Sequence, residues 1–396
     1  MTRPAPFCTL TDTADLHDEL AAIRHDLHQH PELAYHEFRT ADKVAECLEG
    51  WGYLVTRGLG GTGMVASLSA GTSTRAVAVR ADMDALPIAE ETGLSYASTH
   101  AGKMHACGHD GHTTMVLGAA RHLARTRQFD GTVHLVFQPA EEIGSDSGAV
   151  RMIADGLFER FPCEAIFGLH NHPGYPAGTF MFRSGAFMAA SDKAKITIHG
   201  RGGHAARPQL SIDPVVIGSS LVMALQTVVA RNIDPMQTAV ITVGVFHAGH
   251  TANVIPETAT LELSIRSFDP AVRKLLETRI RALVESHVAG YGATADIDHV
   301  IGYPVVVNSH AETVLAAEVA RELVGEANVI DHFAPIAGSE DFAYYLEKKP
   351  GCFLRLGNGE QQPMLHNAAY DFNDANLTTG AAYWTRLVER FLSAPL

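Results

Sequence analysis

Three short, unbroken apolar runs constrain the fold of this chain more than any other feature: "AVAV" at 76–79, "VHLVF" at 133–137 and "AIFGL" at 165–169. A strand with one wet face alternates apolar and polar residues, whereas a run apolar almost throughout is buried on both faces. Helical patterns alternate with the runs, so this part of the chain reads as α/β. Two helices precede it. Leu16, Leu20, Ile23 and Leu27 step at helical spacing up to Pro31, and Phe38, Ala41, Ala45 and Leu48 do so up to Gly50.

From about Asp192 the order changes to strand "KAKITIHG", helix 213–230, strands "TAVITVGVF" and "ATLELSIRS", helix 270–288 and a strand near 294–301. That βαββαβ order is ferredoxin-like. After Pro304 the first style returns, with helices around 311–324 and 377–392. A chain of 396 residues exceeds one ordinary core. The expected division is a discontinuous domain of residues 1–186 and 303–396, interrupted by an inserted domain of residues 187–302.

Composition narrows the partners. A formal charge of -14 excludes a nucleic-acid groove, which needs clustered Lys and Arg. The run "DPVVIGSSLVMALQTVVA" is broken by Gly, Ser and Gln and is expected to fall short of a membrane span. "MTRPAPFCTL" lacks the apolar centre of a secretion signal, and five scattered cysteines form no paired framework. Both features point to the cytoplasm.

The stretch "HACGHDGH", residues 105–112, holds three histidines and a cysteine just before an expected helix at 113–125. On extended backbone, Cys107 and His109 point the same way and reach one metal together. His105 and His112 read as bystanders. The apolar runs then deliver further donors at their ends: Asp82 and Asp84 in "RADMDALP", Glu141 and Glu142 in "QPAEE", His170 and His172 in "HNHP". Strand ends are where ligands bind in open α/β sheets. Adjacent acids on an extended segment face opposite ways, so one of Glu141 and Glu142 can bind metal while the other serves as general base. Asp82 and Asp84 share a parity suited to holding a metal-bound histidine from behind. His25, His28 and His30 read as solvated or capping, and His247 and His250 stay unassigned. In "GSEDFAYY", Ser339 reads as a helix cap with Glu340 and Asp341 in the first turn. A zinc nucleobase deaminase is excluded, because "PCEAI" places Ile166 where its second cysteine should stand.

"HPELAYHEFRTA", "RADMDALPI", "MHACGHDGHTTMVLGAA", "FQPAEE", "GLHNHP", "GRGGHAARP", "NVIPETA", "GSEDFAYY" and "MLHN" together resemble the metal-dependent amidohydrolases that include hippurate hydrolase and the auxin-amino acid conjugate hydrolases. More distantly the chain is similar to bacterial aminoacylases and glutamate carboxypeptidases. The resemblance implies a zinc-peptidase-like catalytic domain with a central mixed sheet, interrupted by a ferredoxin-like lid and dimerisation domain. It implies Cys107, His109, Glu142, His170 and His366 as ligands of a two-metal site, with Glu141 as base and Asp84 beside it in the catalytic set. Asp82 stands where the wider family has a histidine. The donor types suit zinc or manganese, with cobalt or nickel as alternatives. The implied reaction is hydrolysis of N-acyl amino acids; the alternatives are a dipeptidase or carboxypeptidase of the wider family, or a non-catalytic metal-binding protein. His204, Arg207, Asn253 and Arg266 would offer polar groups to the substrate, and the lid would pair copies into a dimer or a dimer of dimers.

Overall fold

The computed structural model describes residues 7–393, so the opening six residues of "MTRPAPFCTL" lie outside the described residues. The chain forms two compact units. The first comprises residues up to Gly185, Val307–Ala334 and those from Asp341 onward, and the second comprises Ala186–Val306 with Pro335–Glu340. The second unit therefore takes a short later segment in addition to the expected insertion. Ala189 N–H donates to the carbonyls of Ile336 and Gly338 at 3.0 Å each, which ties that segment to it.

The first unit is built on an eight-stranded mixed sheet. Its strands are β1 (Leu54–Leu59), β2 (Gly63–Ala70), β3 (Ala76–Asp82), β4 (Gly131–Gln138), β5 (Ala165–His172), β6 (Phe180–Met181), β7 (Val329–Ile330) and β8 (Gly351–Gly357), in the order β1-β2-β4-β3-β5-β8-β6-β7. The three apolar runs are β3, β4 and β5. They lie side by side and parallel, with Asp82 paired to Gln138 and Arg80 to Gly168, so their C-terminal ends share one edge. Every residue of β3 is buried, as an unbroken apolar run requires.

Helices α1 (His17–Gln29), α2 (Phe38–Gly50), α3 (His109–Thr126), α4 (His310–Val324) and α5 (Ala375–Phe391) belong to the same unit. A Cβ on Gly380 would lie 2.1 Å from Met115 Sδ and one on Gly118 would lie 2.7 Å from Ala381 Cβ, so α3 and α5 cross where only glycine fits. In α2 the buried stripe is Ala41, Val44, Ala45 and Leu48. Phe38, expected in that stripe, is exposed.

The second unit's sheet has strands Ala190–His199, Ala239–Ala248, Thr258–Ser267 and Thr294–Ile301, with the third and first in the middle. All its pairings are antiparallel. The helix Pro214–Asn232 is long and apolar enough to cross a bilayer, contrary to the reading of its sequence as interrupted. Its stripe Ile217, Leu221, Leu225 and Val228 packs in the unit's own core with Ile196, Ile198 and Leu261.

Candidate metal centre

The shared edge of β3, β4 and β5 gathers the chemistry. Helix α3 begins at His109, four residues earlier than the apolar pattern indicates. Gly108, just before it, is left-handed at φ 89°, and a Cβ there would meet Asn171 Nδ2 at 2.2 Å and Tyr370 Oη at 2.6 Å. Both the conformation and the space demand glycine. Thus a turn, and not extended parity, brings Cys107 and His109 together. Asn171 fixes that turn by donating to the Cys107 carbonyl at 2.7 Å, and Tyr370 Oη donates to Asn171 Oδ1 at 2.8 Å.

Groups of three donors result, two of which hold Cys107. Cys107, His109 and His170 place their donor atoms within 4.8 Å of one another, and so do Cys107, Glu142 and His366. The thiol is common to both. Cys107 Sγ lies 3.2 Å from His170 Nε2, and His366 Nε2 lies 3.2 Å from Glu142 Oε1. Glu141 joins His109 and Glu142 in a third such group. His366 adopts a left-handed φ of 63°, and its N–H donates to the Ala106 carbonyl at 2.8 Å, which links it to the same turn. Cys107, His109, Glu141 and His170 are buried, whereas the His366 side chain is exposed and opens the cluster to solvent.

The histidine tautomers decide which rings are available. His170 Nδ1 lies 2.7 Å from the Asn171 carbonyl and His109 Nδ1 lies 2.8 Å from the Asp84 carbonyl. Each Nδ1 therefore carries the proton and each Nε2 keeps its lone pair. His109 Nε2 is buried without a hydrogen-bond partner. His112 differs, because its Nε2 accepts from Asn171 N–H at 3.0 Å and its Nδ1 donates to Asp82 at 2.7 Å. With both nitrogens engaged, His112 is no bystander: it supports Asn171 and Asp82, and with Asp82 and His109 it forms a further buried donor group. His105 is also buried, again unlike a surface loop residue.

Charge explains why the cluster suits a cation. Burial, followed by Glu142 and Glu141, pushes the Cys107 thiol well above its ordinary value. A thiolate there needs positive charge beside it. Burial works against a positive charge on His109, yet the surrounding Asp82 and Asp84 outweigh it and raise its pKa to about 10, so a metal ion at Nε2 would take the place of a second proton. A buried Nε2 with no hydrogen-bond partner, set among soft and acidic donors with excess negative charge, fits divalent ions in place of that proton. Asp84 braces the arrangement: its Oδ2 accepts from Glu142 N–H at 3.0 Å, while its carbonyl holds His109. Asp82 is held by Arg80 at 2.5 Å. Arg80 also pairs with Asp341 at 3.0 Å, and it is this buried Asp341, expected in the first turn, and not Ser339 that stands at the helix N-cap.

His28, expected to be solvated or capping, is placed differently as well. It is fully buried, 2.8 Å from Asp110 and 3.4 Å from Glu90. Arg24, one turn earlier on the same face of α1, pairs with Asp371 and Asp374 at 2.7 Å each. Burial alone would lower the His28 pKa, but Asp110 and Glu90 raise it to about 9 from 6.5. A raised folded-state pKa means stability fully present below pH 6.5 and lost as pH rises through about 9. Melting temperatures from pH 7 to 10 should therefore fall less steeply for His28→Gln than for wild type. Identical slopes would rule out a charged His28.

In the second unit, residues 203–204 pair with Val254–Ile255, setting His204 opposite Val254. Ala205 N–H donates to the Asn253 carbonyl and Arg207 N–H to that of His204, at 3.1 and 2.8 Å. His204, Asn253 and Arg207 thus share one corner. Arg266 does not join them. It pairs with Ser191 toward the far end of Thr258–Ser267, about 26 Å along the strand from Thr258.

Residues 78–390 match the family model described as peptidase family M20/M25/M40. The chain is 42% identical over 383 residues to the hippurate hydrolase of Campylobacter jejuni, covering 97% of this chain and 99% of that protein. It is 40% identical to the N-acetyl-L-cysteine deacetylase of Bacillus subtilis, over 96% of this chain and 89% of that one. A solved dinuclear metal-binding peptidase of the M20 family from B. subtilis aligns with a TM-score of 0.83 and 34% identity, covering 96% of this chain and 99% of that structure. Agreement of this depth, running almost end to end, makes the chain a member of peptidase family M20/M25/M40 and a hydrolase of amide bonds.

Proposed function

We propose that this protein hydrolyses N-acyl amino acids, releasing a carboxylic acid and a free amino acid. The observation that carries the reading is the pair of donor triads sharing Cys107, with Glu141 beside them. The names of its relatives, a hippurate hydrolase and an N-acetyl-L-cysteine deacetylase, support the substrate class. Cys107, His109, Glu142, His170 and His366 would hold two ions, zinc or manganese first and cobalt or nickel next by donor chemistry. Such ions, when bound, lower the pKa of water and polarise the scissile carbonyl. Glu141 takes the proton from the attacking water and gives it to the departing nitrogen. Asp84 keeps the His109 ring and the Glu142 backbone in place during the exchange. Cys107 serves as a ligand and not as a nucleophile, because no histidine is left over to act as its base.

His204, Asn253 and Arg207 are proposed to bind the substrate's α-carboxylate and carbonyl, with Arg266 in the same role despite its separate position. The exposed Val240 and Phe246 on the edge strand Ala239–Ala248 support pairing of two copies through this unit. Five free cysteines support a cytoplasmic location.

Assay of N-benzoyl and N-acetyl amino acids against their carboxamides tests the substrate reading. A charge-assisted hydrogen bond is worth about 1.5–3 kcal/mol, so the neutral amide should lower kcat/KM by about ten- to a hundredfold. Equal rates on both would remove the carboxylate anchor, and hydrolysis of dipeptides alone would favour the peptidase alternative.

A further inference from the structure

The metal centre draws no ligand from residues 30–38, yet that segment grips the turn that carries the acid pair. Glu37 is completely buried. One carboxylate oxygen accepts from Ala140 N–H at 2.9 Å and the other from Thr62 Oγ1 at 2.5 Å. Ala140, directly before Glu141, has a left-handed φ of 50°. That conformation is unfavourable for any residue with a Cβ and persists only when its surroundings impose it.

The rest of the turn is braced as tightly. The Ala140 carbonyl accepts from Gly148 N–H at 3.0 Å, and a Cβ on Gly148 would lie 1.7 Å from the Pro139 oxygen. Tyr35 Oη donates to the Asp146 carbonyl farther along the same loop. Backward along the chain, the Glu32 carbonyl accepts from Ala85 N–H at 2.8 Å, beside Asp84. The segment therefore holds both the β3 exit and the acid turn. Among the described residues Glu37 forms no ion pair, and burial pushes its carboxyl up to about 7. A buried carboxyl without an ion pair is costly to keep, and its hydrogen bonds from Ala140 and Thr62 are what offset that cost.

We propose that Glu37 is a positioning residue for the hydrolysis: by accepting the Ala140 N–H it holds Ala140 left-handed, and so fixes the direction in which Glu141 and Glu142 leave the turn. The proposal rests on Glu141 as base and Glu142 as ligand.

Glu37→Ala should lower kcat by about ten- to a hundredfold at saturating metal, with KM changed by less than about threefold, since misplacement of the base by an ångström suffices. Glu37→Gln retains an acceptor oxygen and should stay within about threefold of wild type. The decisive variant is Glu37→Ala with Ala140→Gly, because glycine adopts the left-handed conformation without the Cβ penalty and should restore much of the lost kcat. A role confined to stability would not produce that recovery of kcat. Wild-type kcat in Glu37→Ala, equal impairment in Glu37→Gln, or no recovery in the double variant each overturns the proposal. Should Glu37→Ala fail to fold, the double variant is expected to fold and turn over, and its failure counts against the proposal equally. An active Glu141→Gln would sink the base assignment and with it the ground of the proposal, whereas an inactive Glu141→Gln beside an unimpaired Glu37→Ala would sink the positioning role alone.

Discussion

Glu141→Gln should retain both ions while turnover falls by about 10²–10⁴-fold, the range that a general base contributes. The amide preserves the size of the side chain but cannot take a proton from water near neutral pH. The five proposed ligands do not include Glu141, so elemental analysis should find the same metal content as in wild type. Glu142→Gln should behave differently. Its carboxylate lies in the group with Cys107 and His366, so its loss weakens metal binding and lowers activity through occupancy. Adding metal in excess should then recover part of the activity of Glu142→Gln and none of that of Glu141→Gln. If excess metal instead rescues Glu141→Gln, the two roles are exchanged.

The second large effect concerns Cys107. Cys107 Sγ belongs to two of the donor groups, so with one ion held by each of them Cys107→Ala would remove a ligand from both. His170→Ala removes one from a single group. Cys107→Ala should therefore lose both ions on dialysis and show no measurable turnover, while His170→Ala should keep close to one equivalent. Exhaustive chelation of the wild type should reproduce the Cys107→Ala state, and restoring zinc or manganese should reverse it only where the thiol is present. Full activity after chelation, with no metal by elemental analysis, would end the two-ion mechanism. Loss of a single equivalent from Cys107→Ala would mean that the sulfur serves one ion only.

Much of the first unit was legible because its signals are local. Burial on both faces writes itself into a strand as an unbroken apolar run, and β3, β4 and β5 follow such runs closely. The motif residues at the strand ends were legible for a related reason, since a parallel sheet puts its C-terminal ends on one edge. What local pattern could not supply was the state of each ring and carboxylate. His112 looked spare beside His109, and one helical turn of spacing was the available hint that both face the same cluster. Asn171, between two histidines, gave no signal of its own, although it ties Cys107, His112 and Tyr370 together. His28 looked solvated or capping because polar residues on a helix usually face water, and Arg24 beside it drew no reading at all. Their partners lie far away in sequence, at Asp110 and Asp371.

By itself, then, the sequence determined the α/β body, the ferredoxin-like order of the insertion, and the residue types that meet at the strand ends. These follow from hydrophobic period and from motifs read along the chain. Only the tertiary structure decided that one thiol belongs to two donor groups, that His112 is already satisfied, and that Glu37 reaches the turn before Glu141. The physical reason is that each of these depends on where lone pairs and N–H groups point. A left-handed glycine at 108 and a left-handed alanine at 140 set those directions through contacts more than sixty residues apart in the chain, to Asn171 and Glu37 respectively.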